Sequence, residues 1–439
     1  MYQTDSIFER LNQVGTLKER DVNMTNIQNK IHEYMDLYTK NWAFSGAIAA
    51  IQNGEVVFQN AYGYANIEHK VKNAIETKFR LYSVTKQFTA VAILMLEERG
   101  LLKVEDPVRN YFPNWHELDD RITIHHLLNH TSGLVNYTAT ADFDRMKNEK
   151  SDFFKRYVNL PLEFEPGTQF NYCNTGYDLL GMLIEELSGV SYIHFLKENI
   201  FLPLAMFNTG LVDNKTIIDG MASGYYLHKN DLVHCKYVDM EKGVADGGLY
   251  STVLDMLKWD QALRSEVLLS KQSVERMETA YKDNYGYGVE INMHGDKKMI
   301  HHNGGYEGFL PALYRYVDYN FAVVVLSNYG FAASDKLCME ISKIALEEQY
   351  DLPNKPAEYS LSPETLESYL GVYGEAVDTI EIRNEGEGLS VIFDDEVVCP
   401  VYPISKNVLH HTWIDESYPI SKDENGKLSI WGYMKREEK

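Results

Sequence analysis

Apolar and polar positions change period several times along this chain, and each change marks an element. Residues 26 to 40 repeat at helical spacing. Phe44 to Gln52 and Val56 to Tyr62 read as strands joined by Asn53-Gly54, a strong hairpin signal. From Ser83 to Arg99 the apolar residues Phe88, Ala90, Val91, Ile93, Leu94, Met95 and Leu96 leave no polar face. A helix apolar all round is a buried one. The stretch from 105 to 280 reads mainly as helices and loops. Strand patterns return at 287–293, 298–302, 309–317 and 321–327, followed by a helix over 334–348. Strands at both ends with helices between predict an α+β fold. One antiparallel sheet is closed by distant segments, a large helical insertion packs on it, and the site lies at their junction.

Beyond residue 350 the pattern changes again. Asp351-Leu352-Pro353-Asn354-Lys355-Pro356 and Pro363 mark a linker. Short alternating runs follow at Thr379–Ile382, Leu389–Phe393, Val397–Tyr402, Val408–Trp413 and Leu428–Tyr433, the signature of a small β-barrel or folded sheet. The expected organisation is a polar N-terminal extension (1–24), a large domain (25–350), a linker (351–363) and a small all-β domain (364–439). There is no internal repeat or low-complexity stretch.

Charge narrows the partners. Forty-two basic against sixty-four acidic residues leave a net charge of −22. This argues against nucleic acid, whose phosphates need clustered lysine and arginine, and against adhesion to anionic membranes. Met1 to Met24 lack the apolar core of a secretory signal. No run reaches the roughly 18 apolar residues of a membrane helix. The expectation for the chain as given is a cytoplasmic location, which favours turnover, detoxification or small-ester chemistry over cell-wall synthesis. Oligomeric state is not legible.

Three polar clusters carry the chemistry. Ser83-Val84-Thr85-Lys86 is the one Ser-x-x-Lys in the chain and stands at the start of the buried helix. Residues i and i+3 share a helix face, so the Ser83 hydroxyl lies beside the Lys86 amine. A weak nucleophile, a neighbouring base and the positive end of a helix suit acyl transfer through a serine ester. Tyr172-Cys173-Asn174 follows the turn Glu165-Pro166-Gly167-Thr168 and precedes a helix expected from Tyr177 to Leu187. Tyr-x-Asn also occurs at Tyr64 and Tyr157, so context rather than pattern distinguishes it. A phenol beside a cationic lysine should lose its proton more easily. Tyr172 would then act as general base with Lys86, and Asn174 would orient a substrate amide. His302-Asn303-Gly304 is the third cluster, flanked by strand patterns. Gly304 and Gly305 allow substrate to approach the backbone closely, and the Gly305 N–H could join that of Ser83 as an oxyanion hole.

Together these clusters resemble the penicillin-recognising serine hydrolases: class C β-lactamases, DD-peptidases, D-aminopeptidases and related esterases. Leu127-Leu128-Asn129-His130-Thr131-Ser132-Gly133-Leu134 and Gly247-Gly248-Leu249-Tyr250-Ser251-Thr252 look like that branch as well. The resemblance covers residues 25 to 350 and implies a β-lactamase-like fold. The tail resembles the lipocalin-like C-terminal domain of some relatives. It implies Ser83 as acylated nucleophile, Lys86 as its activator and Tyr172 as general base. Asn174, His302, Gly304 and Gly305 would bind substrate. The substrate would be a small molecule or short peptide, with β-lactams among the candidates, and no cofactor. His302 departs from the lysine of Lys-Thr-Gly. A lysine is a fixed cation, whereas a histidine is mostly neutral at pH 7. Weak or pH-dependent recognition of a substrate carboxylate, and weak or absent β-lactamase activity, are therefore expected. A non-catalytic or slowly deacylating binder of penicillin or wall fragments is the alternative.

Other chemistries find little support. His126 and His130 have His-x-x-x-His spacing beside His125, but no Glu follows as in His-Glu-x-x-His. Hydrogen-bonded histidines are expected there, not a metal. Cys173, Cys235, Cys338 and Cys399 are scattered and suggest neither zinc nor a disulfide framework. There is no Gly-x-Ser-x-Gly elbow, phosphate loop or dinucleotide fingerprint.

Overall fold

A computed structural model describes residues 17–116, 118–140, 157–213, 215–238, 243–375, 378–384, 388–393, 397–423, 426–431 and 433–436. Residues 1–16 of the expected N-terminal extension, and 141–150 of a stretch expected to help wall the site, lie outside this set.

The central sheet has six antiparallel strands, in the order Glu290–His294, Lys297–Asn303, Leu310–Tyr316, Phe321–Ser327, Gly46–Gln52 and Glu55–Tyr62. Gly46 to Gln52 pair in continuous register with Ser327 to Phe321, so the early hairpin is zipped to the late meander. Every residue of Phe321–Ser327 is buried, because both faces of the sheet are covered. Strand side chains alternate between faces, and the two cores obey that alternation. Ala47, Ala49, Ile51, Val324 and Leu326 join one core with Phe88 and Trp259. Ile48, Ala50, Val323 and Val325 join the other with Met35 and Leu337. Helix Val253–Leu263 packs on the first face. Helices Leu17–Asn41 and Ser334–Ala345 pack on the second.

The expected strands are present with edges shifted by no more than three residues, and Phe321–Ser327 and Leu389–Phe393 match without a shift. The first helix begins at Leu17, nine residues before the expected start, because the polar stretch before residue 26 is itself helical. Ser83 is not the cap of an α-helix. It occupies a 3-10 turn, Tyr82–Val84, that feeds helix Thr85–Glu98.

One buried ionic cluster locks helix to sheet. Arg315 projects from strand Leu310–Tyr316 to Asp260 at 2.8 Å and Glu278 at 2.6 Å. Arg264 also reaches Asp260, at 2.8 Å. Burial pushes the Asp260 carboxyl upward, yet the Arg264 and Arg315 guanidiniums outweigh it and hold it below the usual range. A depressed carboxyl stabilises the fold above its unfolded pKa and loses that contribution as pH falls through the folded value.

The C-terminal region forms its own sheet. Eight strands from Gly371–Glu375 to Tyr433–Met434 pair in sequence order. Tyr373 on the first strand then pairs with Lys435, just past the last. The ring encloses a core of Tyr373, Ile380, Val391, Leu409, Ile420 and Ile430. Strands Gly371–Glu375 and Ser417–Lys422 escape a reading of the sequence. The first carries Gly371 and Gly374, and the second holds Pro419, residues that normally punctuate strands. A hairpin from the middle of the chain, Tyr225–His228 and Asp231–His234, joins this sheet through the parallel bridge Val398 to His228. Lys336 with Asp415 (2.8 Å) and the Ala43 N–H with the Trp413 carbonyl (2.6 Å) add contacts to the rest of the chain.

Arg315→Ala removes the Arg315 partner of Glu278 in the interior and leaves Asp260 with Arg264 alone. The expected loss is about 3–5 kcal/mol of unfolding free energy, measured by urea denaturation near neutral pH. A loss under about 1 kcal/mol would remove this cluster from the account of stability.

Candidate active site

Three segments distant in sequence meet at the start of helix Thr85–Glu98. The first is the 3-10 turn bearing Ser83. Tyr82, just before it, has φ +41°, an unusual value for a bulky residue. The turn holds because neighbours on both sides fix it. The Leu81 N–H donates to the Leu249 carbonyl at 2.8 Å, and the Leu249 N–H donates to Thr85 Oγ1 at 3.2 Å. One helical turn on, fully buried Lys86 places Nζ 3.2 Å from Ser83 Oγ. The same amine donates to the Asp246 carbonyl at 2.8 Å. It also lies over the rings of Tyr172 and Tyr177, at 4.8 and 5.5 Å from their centroids, where the ring quadrupole favours a cation. The Asp246 carbonyl is a functional group that sequence could not announce, since a backbone oxygen carries no side-chain signature. The glycine-rich stretch after it was the only hint.

The second segment carries Tyr172 and Asn174. Tyr172 ends a loop, and Asn174 opens helix Asn174–Ser188, three residues before the expected start. Asn174 donates through Nδ2 to Thr138 Oγ1 at 3.0 Å, while its Oδ1 is buried without a hydrogen-bond partner. That oxygen is an acceptor available to a substrate N–H. Tyr172 Oη is also buried without a partner inside hydrogen-bond limits. Burial drives the Tyr172 phenol well above its ordinary pKa, and the nearby Ser83 hydroxyl only partly opposes this. The expectation that Lys86 would ease ionisation of Tyr172 is thus corrected: desolvation of a phenolate outweighs the neighbouring amine. Cys173, between them, is buried, and its thiol is raised to about 11 by burial. It is not a reactive thiolate near neutral pH.

The third segment is strand Lys297–Asn303 and the glycines after it. Its ladder with Glu290–His294 ends at the Glu290–His301 pair, so His302, Asn303 and Gly304 have an open outer edge. Gly304 is demanded by space. A Cβ there would stand 2.5 Å from the Leu81 carbonyl oxygen and 3.1 Å from the Ser83 nitrogen. This close approach brings the strand end at Gly304 to the nucleophile turn.

His302 is buried, and both ring nitrogens are engaged inside the protein. Nδ1 donates to the Asn303 carbonyl at 2.6 Å, which leaves Nε2 to accept from the Tyr285 hydroxyl at 2.8 Å. Burial first, and the Lys86 charge second, push its pKa down to about 3. The substrate-holding role expected of this ring is therefore corrected. In this hydrogen-bond arrangement His302 is an internally satisfied imidazole with no free N–H for a carboxylate. Its partner Tyr285 had no distinguishing sequence pattern.

The remaining histidines are hydrogen-bonded as expected. His130 Nδ1 accepts from the Cys173 N–H at 3.0 Å, and its ring stacks 4.2 Å from that of Tyr172. His125 meets the Tyr287 hydroxyl at 2.7 Å, and His126 Nδ1 accepts from the Thr123 N–H at 3.2 Å. Among the described residues no group of three or more His, Cys, Asp or Glu side chains is arranged to hold a metal ion.

Comparison with known proteins bears on the family and the fold. A family model described as beta-lactamase matches residues 27–338. The penicillin-binding protein 4* of Bacillus subtilis (strain 168) is 32% identical over 341 residues, covering 72% of this chain and 75% of its own. The D-aminopeptidase of Brucella anthropi is 27% identical over 318 residues, covering 69% of this chain and 59% of its own. Among solved structures, the octameric penicillin-binding protein homologue from Pyrococcus abyssi superposes with a TM-score of 0.65 at 27% identity. That match covers 93% of this chain and 98% of the other.

A histidine pKa near 3 predicts that the His302 imidazole stays neutral from about pH 5 to 8. Its ring resonances in a heteronuclear NMR titration should not move over that range. A titration midpoint above about pH 6 would restore a charged histidine to the site.

Proposed function

The chain belongs to the beta-lactamase family of serine hydrolases, and on that premise we propose that it cleaves an amide or ester through an acyl-enzyme on Ser83, with little or no turnover of β-lactams. The observation that carries this reading is the Lys86 amine, held 3.2 Å from Ser83 Oγ by the Asp246 carbonyl. Ser83 Oγ attacks the substrate carbonyl. Its proton passes to the Lys86–Tyr172 pair, which returns a proton to the leaving amine or alkoxide as the tetrahedral intermediate collapses. To accept that proton the pair must carry one proton fewer than an ammonium and a phenol together, so attack proceeds from that microstate. The same pair then activates water against the ester. The N–H groups of Ser83 and Gly305 bind the developing oxyanion, and Asn174 Oδ1 accepts from the substrate amide.

Specificity follows from what the third segment lacks. With His302 neutral and internally satisfied, the strand edge presents no fixed cation from that position. A β-lactam carboxylate would be desolvated there without a charged partner, which is unfavourable. Neutral acyl groups meet no such penalty. D-amino-acid amides or peptides and small esters are the favoured substrates, with D-Ala-D-Ala-type peptides next. The D-aminopeptidase relative supports the amide reading.

Turnover of a p-nitrophenyl ester tests the mechanism. Ser83→Ala should lower kcat by at least about a hundredfold, and Tyr172→Phe should slow acylation by roughly 10²–10⁴-fold. Equal slow rates in wild type and Ser83→Ala would leave a binding protein. Intact mass after incubation with benzylpenicillin tests the specificity, with an unmodified protein and unconsumed drug expected. A lasting adduct on Ser83, or rapid drug consumption, would refute discrimination against the carboxylate.

A further inference from the structure

A large cavity in the described structure is not lined by Ser83, Lys86 or Tyr172. It measures about 970 Å³ and lies between the hydrolase sheet and the C-terminal barrel. The segment Asn303–Gly305 forms part of its wall, so it adjoins the nucleophile site without containing it. Of the groups used in the mechanism above, only Gly305 belongs to its lining.

Its two sides differ in chemistry. The barrel supplies an aromatic nest of Phe393, Tyr418 and Trp431. The Tyr418 and Trp431 rings meet edge to face at 5.2 Å, and Phe393 stands 6.4 and 6.3 Å from them. Trp431 remains 48% exposed, unusual for so large an apolar ring inside a concave site, and its backbone sits at φ +53°. A tryptophan held in a left-handed conformation with its ring uncovered is positioned at a cost that core packing does not explain.

Two carboxylates supply the polar part. Asp335 extends from the first turn of helix Ser334–Ala345, and Glu416 from the barrel just before strand Ser417–Lys422. Neither forms a salt bridge in the described structure, whereas Lys336 between them is paired with Asp415 at 2.8 Å. Lys236 and Glu307 also line the cavity. Burial holds Asp335 up to about 6. Burial holds Glu416 at about 7, with Lys336 opposing and Asp335 and Asp415 adding to the rise. Two acids in a shared recess, neither of them in a salt bridge in the described structure and with Lys336 already engaged by Asp415, are what an incoming cation would relieve.

We propose that this cavity is a second binding site, separate from the acyl-serine site, for a small organic cation: a primary ammonium group on an aromatic or aliphatic body. The ammonium would sit between Asp335 and Glu416 as donor in charge-assisted hydrogen bonds. The attached body would lie on the ring faces of the barrel nest, which attract both apolar surface and positive charge. The volume suits a ligand of drug or dipeptide size. The barrel thereby becomes half of a ligand site. An ammonium ligand seated against Asn303–Gly305 would also be within one strand of the nucleophile.

Phenethylammonium and its neutral N-acetyl analogue are suitable probes. Binding is followed by calorimetry and by quenching of tryptophan fluorescence, in wild type and in Ser83→Ala. Both proteins should bind phenethylammonium saturably below about 1 mM, with Trp431→Phe abolishing most of the quench. The doubly neutralised variant Asp335→Asn, Glu416→Gln should bind at least about tenfold more weakly, with an unfolding temperature no lower than wild type. The acetylated probe should not compete. Absence of binding to wild type, equal affinity for both probes, or unchanged affinity in the double variant would each overturn the proposal. Because Ser83→Ala is expected to bind normally, failure here and failure of the hydrolase reading are separate results.

Discussion

The buried Lys86 amine sets the terms for everything around it. An amine taken from water into a protein interior must recover its lost solvation from fixed partners. Here the Asp246 carbonyl, Ser83 Oγ and the faces of Tyr172 and Tyr177 supply them. The partners come from different parts of the fold: the short helix Val244–Gly247, the 3-10 turn, the loop ending at Tyr172 and helix Asn174–Ser188. The amine in turn acts on its surroundings. Its charge is the second cause, after burial, of the depressed pKa values of both His130 and His302. One group therefore positions the nucleophile and keeps the nearby imidazoles neutral.

How much of this was legible depends on whether the property is local. The i, i+3 pairing of Ser83 and Lys86 needs only a helix, and the apolar run behind it announced that the helix start is buried. The Asn53-Gly54 turn and the alternating strands needed only neighbouring residues. The errors all concern quantities fixed by tertiary burial. Tyr172 looked acidified because its neighbour is a lysine, yet the desolvation that dominates cannot be seen in Tyr-Cys-Asn. His302 stood in the place of a substrate-holding lysine, yet its ring is bonded to Tyr285 and to its own neighbour's carbonyl. Asp246 acts through a backbone oxygen, which no side-chain pattern encodes. Strand Ser417–Lys422 hid behind Pro419, a residue that usually argues against a strand.

The close approach at Gly304 shows how the two halves of the sheet enforce one another. A strand can pass within van der Waals reach of the Ser83 nitrogen only if no Cβ intervenes and its own register is fixed. That register comes from pairing with Leu310–Tyr316, which is held by Phe321–Ser327 and ultimately by the N-terminal hairpin. The site is assembled from residues 83, 174, 246 and 304, but its tolerance is set by a ladder that begins at residue 46.

The mid-chain hairpin Tyr225–His234 has a consequence for the order of folding. It is borrowed by a sheet whose other strands are made more than a hundred residues later. Strand Val397–Ser405 is paired on both sides within the C-terminal sheet, so the hairpin adds to it one parallel bridge, at Val398, that the C-terminal sequence cannot supply. The central sheet has the same character, since residue 46 must find residue 327. Both pairings are of high contact order, and loop-closure entropy must be met before either is rewarded. During synthesis the early hairpins wait with unpaired edges until their partners emerge. This chain should consequently mature slowly and as a whole, its final strands acting as the closing step for segments translated long before them.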